Sequence, residues 1–184
     1  MSVRVIGGDA KGRLLKSPIG QRTRPTSNLV RSAIFSMLEP YLDSARVLDL
    51  FSGTGALGVE ALSRGADWVD FFETDPRQCF AIKANLKLLN YAAFSEVHQA
   101  PAERAMTISV GPYDVILMDP PYSYASLEKL LEKVGNSSLC HVGSVVAVEH
   151  SHRQGLPLEV DGLRLIKQRR YGETMVTIYQ QEEG

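Results

Sequence analysis

The sequence predicts an α/β fold: a mostly parallel sheet covered by helices on both faces, with a small N-terminal extension and a C-terminal antiparallel hairpin. Three observations carry this. Short apolar runs alternate with helix-like segments from about residue 46 to 149. A glycine-rich turn joins the first of those runs to the helix after it. Beyond residue 160 the pattern changes to two alternating runs joined by Tyr171-Gly172-Glu173.

The elements follow in order. Residues 3–6 and 13–16 bracket Gly7-Gly8 and Gly12 and suggest a short hairpin. Thr26 or Ser27 can cap a helix over about 28–38, with Leu29, Ile34, Phe35 and Leu38 as core candidates, ended by Pro40. Residues 46–51 form a strand, 56–64 a helix and 69–73 a second strand. Pro76 opens a helix to about Asn90, with Phe80, Ile82, Ala84, Leu86 and Leu89 as its apolar residues. A weak strand near 95–98, a buried one over 113–118, a helix over 124–134 and a buried strand over 143–149 complete the alternation. Residues 163–169 and 174–180 form the closing hairpin. Right-handed crossovers then imply a largely parallel sheet. The division is 1–40 as a basic extension and 41–184 as the main domain.

Composition narrows the class. The chain has 184 residues, 44% hydrophobic and 22% charged, with a formal net charge of −1, which excludes a disordered, collagenous or coiled-coil protein. No apolar run approaches the roughly 18 residues a membrane span needs. The N-terminus lacks a signal-peptide pattern, so the expected location is cytoplasmic. Cys79 and Cys140 form no CxxC pair and are expected to be reduced core residues. The charge is uneven. Residues 1–31 hold Arg4, Lys11, Arg13, Lys16, Arg22, Arg24 and Arg31 against Asp9 alone, a net +6 that leaves −7 for the remainder. A basic arm on an acidic body suits a polyanion such as nucleic acid; the bland alternative is a solvated face. Lys167, Arg169 and Arg170 could extend the same surface.

Gly53-Thr54-Gly55-Ala56-Leu57-Gly58 matches G-x-G-x-x-G between a strand and a helix, and Glu73 ends the next strand, where an acid can accept from ribose hydroxyls. This permits a dinucleotide or another adenosine-containing ligand. Asp49, just before the loop, would repel the pyrophosphate of NAD or FAD. It would favour a ligand with an amino group and a sulfonium, so S-adenosylmethionine (SAM) is preferred. Asp119-Pro120-Pro121-Tyr122 ends another strand and should face the same crevice. Two prolines remove two N–H donors and leave a stiff corner rich in acceptors, with a flat ring beside it. A base bearing an exocyclic amine fits that inventory: the amine donates to the acceptors and the ring stacks on Tyr122. Positioning and electrostatics would supply most of the catalysis.

Together these residues resemble the RsmD family of 16S rRNA guanine-N2 methyltransferases. The resemblance rests on Arg4-Val5-Ile6-Gly7-Gly8, Lys11-Gly12-Arg13, Arg24-Pro25-Thr26, Val30-Arg31, the run Val47 to Gly58, Glu60 to Gly65, Glu73, Asp119-Pro120-Pro121-Tyr122 and Gly172-Glu173-Thr174. It implies a Rossmann-like SAM-dependent methyltransferase fold and methylation of a guanosine N2 in 16S rRNA, on the small subunit or an assembly intermediate. It further implies that Asp49, Gly53 and Gly55 line the methionine side of SAM and that Glu73 holds the ribose. Phe51, Ala56, Thr74, Ala102 and Asp119 complete the implied cofactor set. Asp119, Pro120 and Tyr122 form the catalytic set, and Arg4, Lys11, Arg13, Arg22, Arg24 and Arg31 the RNA-binding set. Related enzymes place Asp or Asn before Ala after the third strand; here the pair is Pro101-Ala102, which leaves the adenine edge to backbone atoms or to neighbours such as Glu103.

Competing readings are an adenine-N6 methyltransferase on DNA or RNA, a non-catalytic RNA-binding or assembly module, and, more distantly, a dehydrogenase. No metal is expected: His150-Ser151-His152 reads as a surface loop, and His98 and His141 as isolated. Ser52 and Ser63 lack a nucleophile elbow. Arg77, Lys83 and Lys87 read as a solvated helix face, and the chain as a monomer.

Overall fold

The structure, a computed structural model, describes residues 3–18 and 27–183. Its central sheet is built from β3 (Arg46–Asp49), β4 (Trp68–Glu73), β5 (Ser95–Gln99), β6 (Val115–Met118), β7 (Val145–Ser151), β8 (Glu159–Val160), β9 (Leu163–Tyr171) and β10 (Thr174–Gln181). Their order is β5-β4-β3-β6-β7-β10-β9-β8. The strands from β5 to β7 run parallel, and β10, β9 and β8 continue antiparallel. The sheet matches the sequence expectation, with β8 as an additional two-residue edge.

The central strands are mostly apolar, and β6 wholly so, because both faces are covered. Val115 and Leu117 of β6 point into one core, and Ile116 and Met118 into the other. The first core packs under α1 (Asn28–Leu38), α2 (Ala56–Ser63) and α3 (Pro76–Leu88). The second packs under α4 (Ala105–Ile108) and α5 (Leu127–Gly135), where Leu127, Leu130, Leu131 and Val134 are buried and the residues between them exposed. Local signals set the helix starts: Ser27 accepts from Val30 N at 3.2 Å, and Asp75 caps α3 ahead of Pro76. Gly58 is required by packing, since a Cβ there would lie 2.2 Å from the Phe71 ring.

The described N-terminal residues belong to the first core. β1 (Val3–Arg4) pairs antiparallel with β2 (Leu14–Leu15), and Val3, Val5, Ala10 and Leu15 pack with Ile34, Phe35, Val59 and Leu62. Buried Glu60 on α2 fastens this hairpin: its carboxylate accepts from Ile6 N at 2.8 Å and Gly7 N at 2.7 Å. Ser63 Oγ accepts from Ala10 N and donates to Gly7 O. Lys16 N donates to Asn85 Oδ1 at 2.8 Å, and Asn85 Nδ2 returns a bond to Lys16 O at 2.9 Å, tying the exit of β2 to α3.

Four expectations are corrected. Leu29 is exposed, and α1 turns Val30, Ile34, Phe35 and Leu38 inward instead. Phe80 is exposed, while Gln78 and Asn85 fill the buried face of α3. His150 is no loop residue: β7 runs to Ser151, and the His150 ring is buried against Thr177 Oγ1 at 2.9 Å, where desolvation lowers its pKa. His98 and His141 have partners, Asp70 at 2.8 Å and Asp114 at 3.1 Å. No helix among the described residues is long and apolar enough to cross a membrane.

Candidate active site

A cleft of about 660 Å³ opens beyond the carboxyl ends of β3, β4, β6 and β7, where ligands bind in open α/β sheets. Its size falls in the usual range for small-molecule sites, about 300–1,000 Å³. The glycine loop forms one wall. Ser52 Oγ donates to Asp49 O at 3.0 Å, Gly55 N donates to Ser52 O at 2.6 Å, and Gly55 (φ 76°) starts α2 in the left-handed conformation that glycine accepts most readily. A Cβ on Gly53 would touch nothing within 4 Å, so its backbone is open to approach.

Glu73 sits at the second strand end as expected. Its carboxylate accepts from Gly53 N at 2.8 Å and from Asp75 N at 2.8 Å, so it braces the loop while it lines the cleft. Asp49 and Gly55 do not line the cleft: Asp49 is buried beneath the loop, and Gly55 is buried within it against Ile82. Asp49 is fully buried, accepts from Gly58 N at 3.1 Å through Oδ2, and leaves Oδ1 without a hydrogen-bond partner among the described residues. Desolvation pushes its pKa up to about 7, opposed by the Gly58 and Phe51 amides and reinforced by Asp119 and Glu73. Its influence on a ligand is therefore through the field, by way of a loop it holds in place.

Phe51, Gly53, Ala56, Glu73, Thr74, Ala102, Asp119, Pro120 and Tyr122 all line the cleft, so the glycine loop and the Asp-Pro-Pro-Tyr corner do meet. Tyr122 is fixed by a 2.7 Å bond between its hydroxyl and Thr174 Oγ1 on β10. Leu50, Phe72 and Ala102 supply an apolar wall, and Phe72 stacks on His98 at 4.6 Å behind it. Among the described residues, Asp70, Glu96 and His98 bring ligand-type atoms within 4.8 Å of one another. The Asp70 oxygens are already taken by His98, Tyr113 OH and Trp68 Nε1, an arrangement that supports Phe72 from behind.

Sequence reasoning missed two cleft-lining side chains and placed a third only loosely. Glu149 lines the cleft from inside β7, just past Val148, the last residue paired with β6; the sequence ends a strand at Glu149, so the rule that found Asp119 would have pointed to it. Tyr124 meets Phe51 edge-on at 5.3 Å. Its hydroxyl donates to Glu103, which keeps the Glu103 carboxyl below its usual pKa. Glu103, named only as a possible neighbour of the adenine edge, thus stands on the cleft wall beside Pro101-Ala102.

The basic set divides. Arg4, Lys11 and Arg13 are exposed on the hairpin. Arg31 is corrected: it is 1% exposed, donates to Arg4 O and to Asn28 Oδ1, and faces Glu60 at 3.8 Å, so it holds the fold together and offers nothing to a phosphate. Arg22 and Arg24 lie outside the described residues.

Comparison with known proteins agrees with this geometry. The family described as "Conserved hypothetical protein 95" matches residues 3–180. "Putative rRNA methyltransferase YlbH" of Bacillus subtilis is 38% identical, over 96% of this chain and 98% of its own. "Ribosomal RNA small subunit methyltransferase D" of Escherichia coli K12 is 31% identical, over 98% and 90%. The solved "Putative methyltransferase yhhF" from Escherichia coli superposes with a TM-score of 0.89 at 30% identity, covering all of both chains. With the glycine loop, the acidic strand end and the Asp-Pro-Pro-Tyr corner around one cleft, the chain belongs to the RsmD family of methyltransferases.

Proposed function

We propose that the protein transfers a methyl group from SAM to the exocyclic N2 of a guanosine in 16S rRNA. The carrying observation is a pair of carboxylates. Met118 and Val148 are register partners in parallel β6 and β7, so Asp119, just past the end of β6, and Glu149, still inside β7, follow side by side, and both line the cleft. Guanine presents N1–H beside its N2 amine, two adjacent donor groups for two acceptors. Adenine presents an acceptor, N1, beside its amine, and the second carboxylate would face that lone pair. This favours N2-guanine over N6-adenine chemistry.

The cleft also suits a cationic cofactor. Glu73, Glu103, Asp119 and Glu149 line it, Asp49 lies beneath, and no Lys, Arg or His lines it among the described residues. That field opposes a pyrophosphate and attracts a sulfonium and an ammonium. SAM, when bound, supplies a methyl group activated by the sulfonium positive charge. Asp119 accepts an N2–H, directs the nitrogen lone pair outward, and takes the proton N2 loses as the new C–N bond replaces the S–C bond. Pro120 and Pro121 keep that corner stiff, and the Tyr122 ring, held by Thr174, forms the stacking surface. Arg4, Lys11 and Arg13 hold phosphates, joined by Arg22 and Arg24. A target within a helix must be flipped out at a cost of a few kcal/mol.

The test is methyl-labelled SAM with 16S rRNA and with partly assembled small subunits, followed by nucleoside digestion. N2-methylguanosine is expected. Label in N6-methyladenosine, label only in DNA, or no transfer to either RNA substrate overturns the reading.

A further inference from the structure

Helix α3 has an outer face that nothing in the catalytic cycle uses. Its thirteen residues include Arg77, Lys83 and Lys87 and no acid. Arg77 is engaged by Asp75 at 3.2 Å, but Lys83 and Lys87 are exposed like charges one turn apart, an arrangement that weakens an isolated helix. One turn before Lys83 on the outer face stands Phe80, 76% exposed, the most exposed aromatic ring among the described residues. Leu88 is 46% exposed on the same side. This is the opposite of how α3 would be built for stability alone, since the helix buries Gln78 and Asn85.

The face is placed for the substrate. Thr74 lines the cleft two residues before Pro76 opens α3, so the helix starts beside the cleft and runs back along β4 and β5, with Phe80 about one turn from its start. The Lys16–Asn85 bonds tie the N-terminal segment to the buried side of α3, away from this face. Cations around an open aromatic ring form the pattern that binds single-stranded nucleic acid, where phosphates take the charges and an unpaired base takes the ring.

We propose that the outer face of α3 docks the RNA strand flanking the target nucleotide, with Lys83 and Lys87 on phosphates and Phe80 stacked on an unpaired base. The proposal rests on the rRNA reading above. It assigns the helix to substrate holding and leaves the chemistry to the cleft.

Phe80→Ala and the pair Lys83→Gln/Lys87→Gln alter exposed side chains, so thermal midpoint and SAM affinity by calorimetry should match the unmodified protein. With a fluorescent 16S rRNA transcript, Phe80→Ala should weaken binding about 10-fold and raise KM with kcat retained. The double lysine variant should flatten the slope of log affinity against log salt by about 1.4, near 0.7 per charge. If the unmodified protein methylates the RNA while both variants bind and respond to salt as it does, the docking surface is wrong and the function stands. If the unmodified protein binds and methylates neither the transcript nor partly assembled small subunits, both fall. Ultraviolet cross-linking that joins position 80 to a ribosomal protein of an assembling subunit, and to no RNA, also overturns the proposal.

Discussion

Replacing Glu60 with alanine tests how the N-terminal hairpin is attached. The carboxylate is fully buried and accepts from Ile6 N, Gly7 N and Arg64 Nε at 2.7–2.8 Å while facing the Arg31 guanidinium at 3.8 Å. Burial already pulls the Arg31 pKa down, and Glu60 is the charge opposing that pull. Its removal strands a cation and two amides. Breaking a buried pair costs about 3–5 kcal/mol, and an orphaned amide about 1–3 kcal/mol before relaxation. Allowing for water reaching the partly buried amides, a loss of about 4–6 kcal/mol is expected. With a urea slope of about 2 kcal/mol/M, the unfolding midpoint should fall by about 2–3 M. A double-mutant cycle with Arg31→Met should show coupling above about 1 kcal/mol. A midpoint shift under about 0.5 M, or additive single effects, refutes the claim that Glu60 organises this end of the molecule.

Asp49 carries a pH signature. Its folded pKa of about 7 lies above the ordinary carboxyl value of 3.8, so its charged form costs stability at neutral pH and above. That cost shrinks as pH falls from about 7 and vanishes below about 4; Asp49→Asn should therefore gain stability over the native protein at pH 8, by about 4 kcal/mol at most, and lose that advantage by pH 4, as read by denaturant titration. Tyr122→Phe keeps the ring but loses the 2.7 Å bond to Thr174, and should lower kcat/KM a few-fold, whereas Tyr122→Ala should cost 10-fold or more. Thr174→Val should reproduce the Tyr122→Phe loss without adding to it. Gly58→Ala would push a methyl to 2.2 Å from Phe71 and should lower stability by about 1–3 kcal/mol, visible as a drop in Tm.

The strand–helix alternation was legible because β6 and the first half of β7 are buried on both sides and leave uninterrupted apolar runs. The glycine loop, Glu73 and the Asp-Pro-Pro-Tyr corner were legible because each couples a backbone need to a chemical one within a few residues. What stayed hidden depends on partners distant in sequence. Arg31 counts as one more cation in a basic arm until Glu60, on another helix, neutralises it. Phe80 counts as core until the sheet is seen to claim the other side of α3. His150 reads as loop because the polar Ser-His pair after Glu149 disguises the end of a strand whose neighbour, β10, supplies Thr177. Pairings like Tyr122 with Thr174 leave no trace in local spacing.

The hairpin that closes the sheet has a consequence for biosynthesis. β10 inserts between β7 and β9, and its first residue is Thr174, the anchor of Tyr122. During translation the glycine loop and the proline corner leave the ribosome well before that anchor does. The nascent polypeptide therefore carries both walls of the cleft with the Tyr122 ring not yet anchored. The cleft takes its final shape only when the last strand slots home.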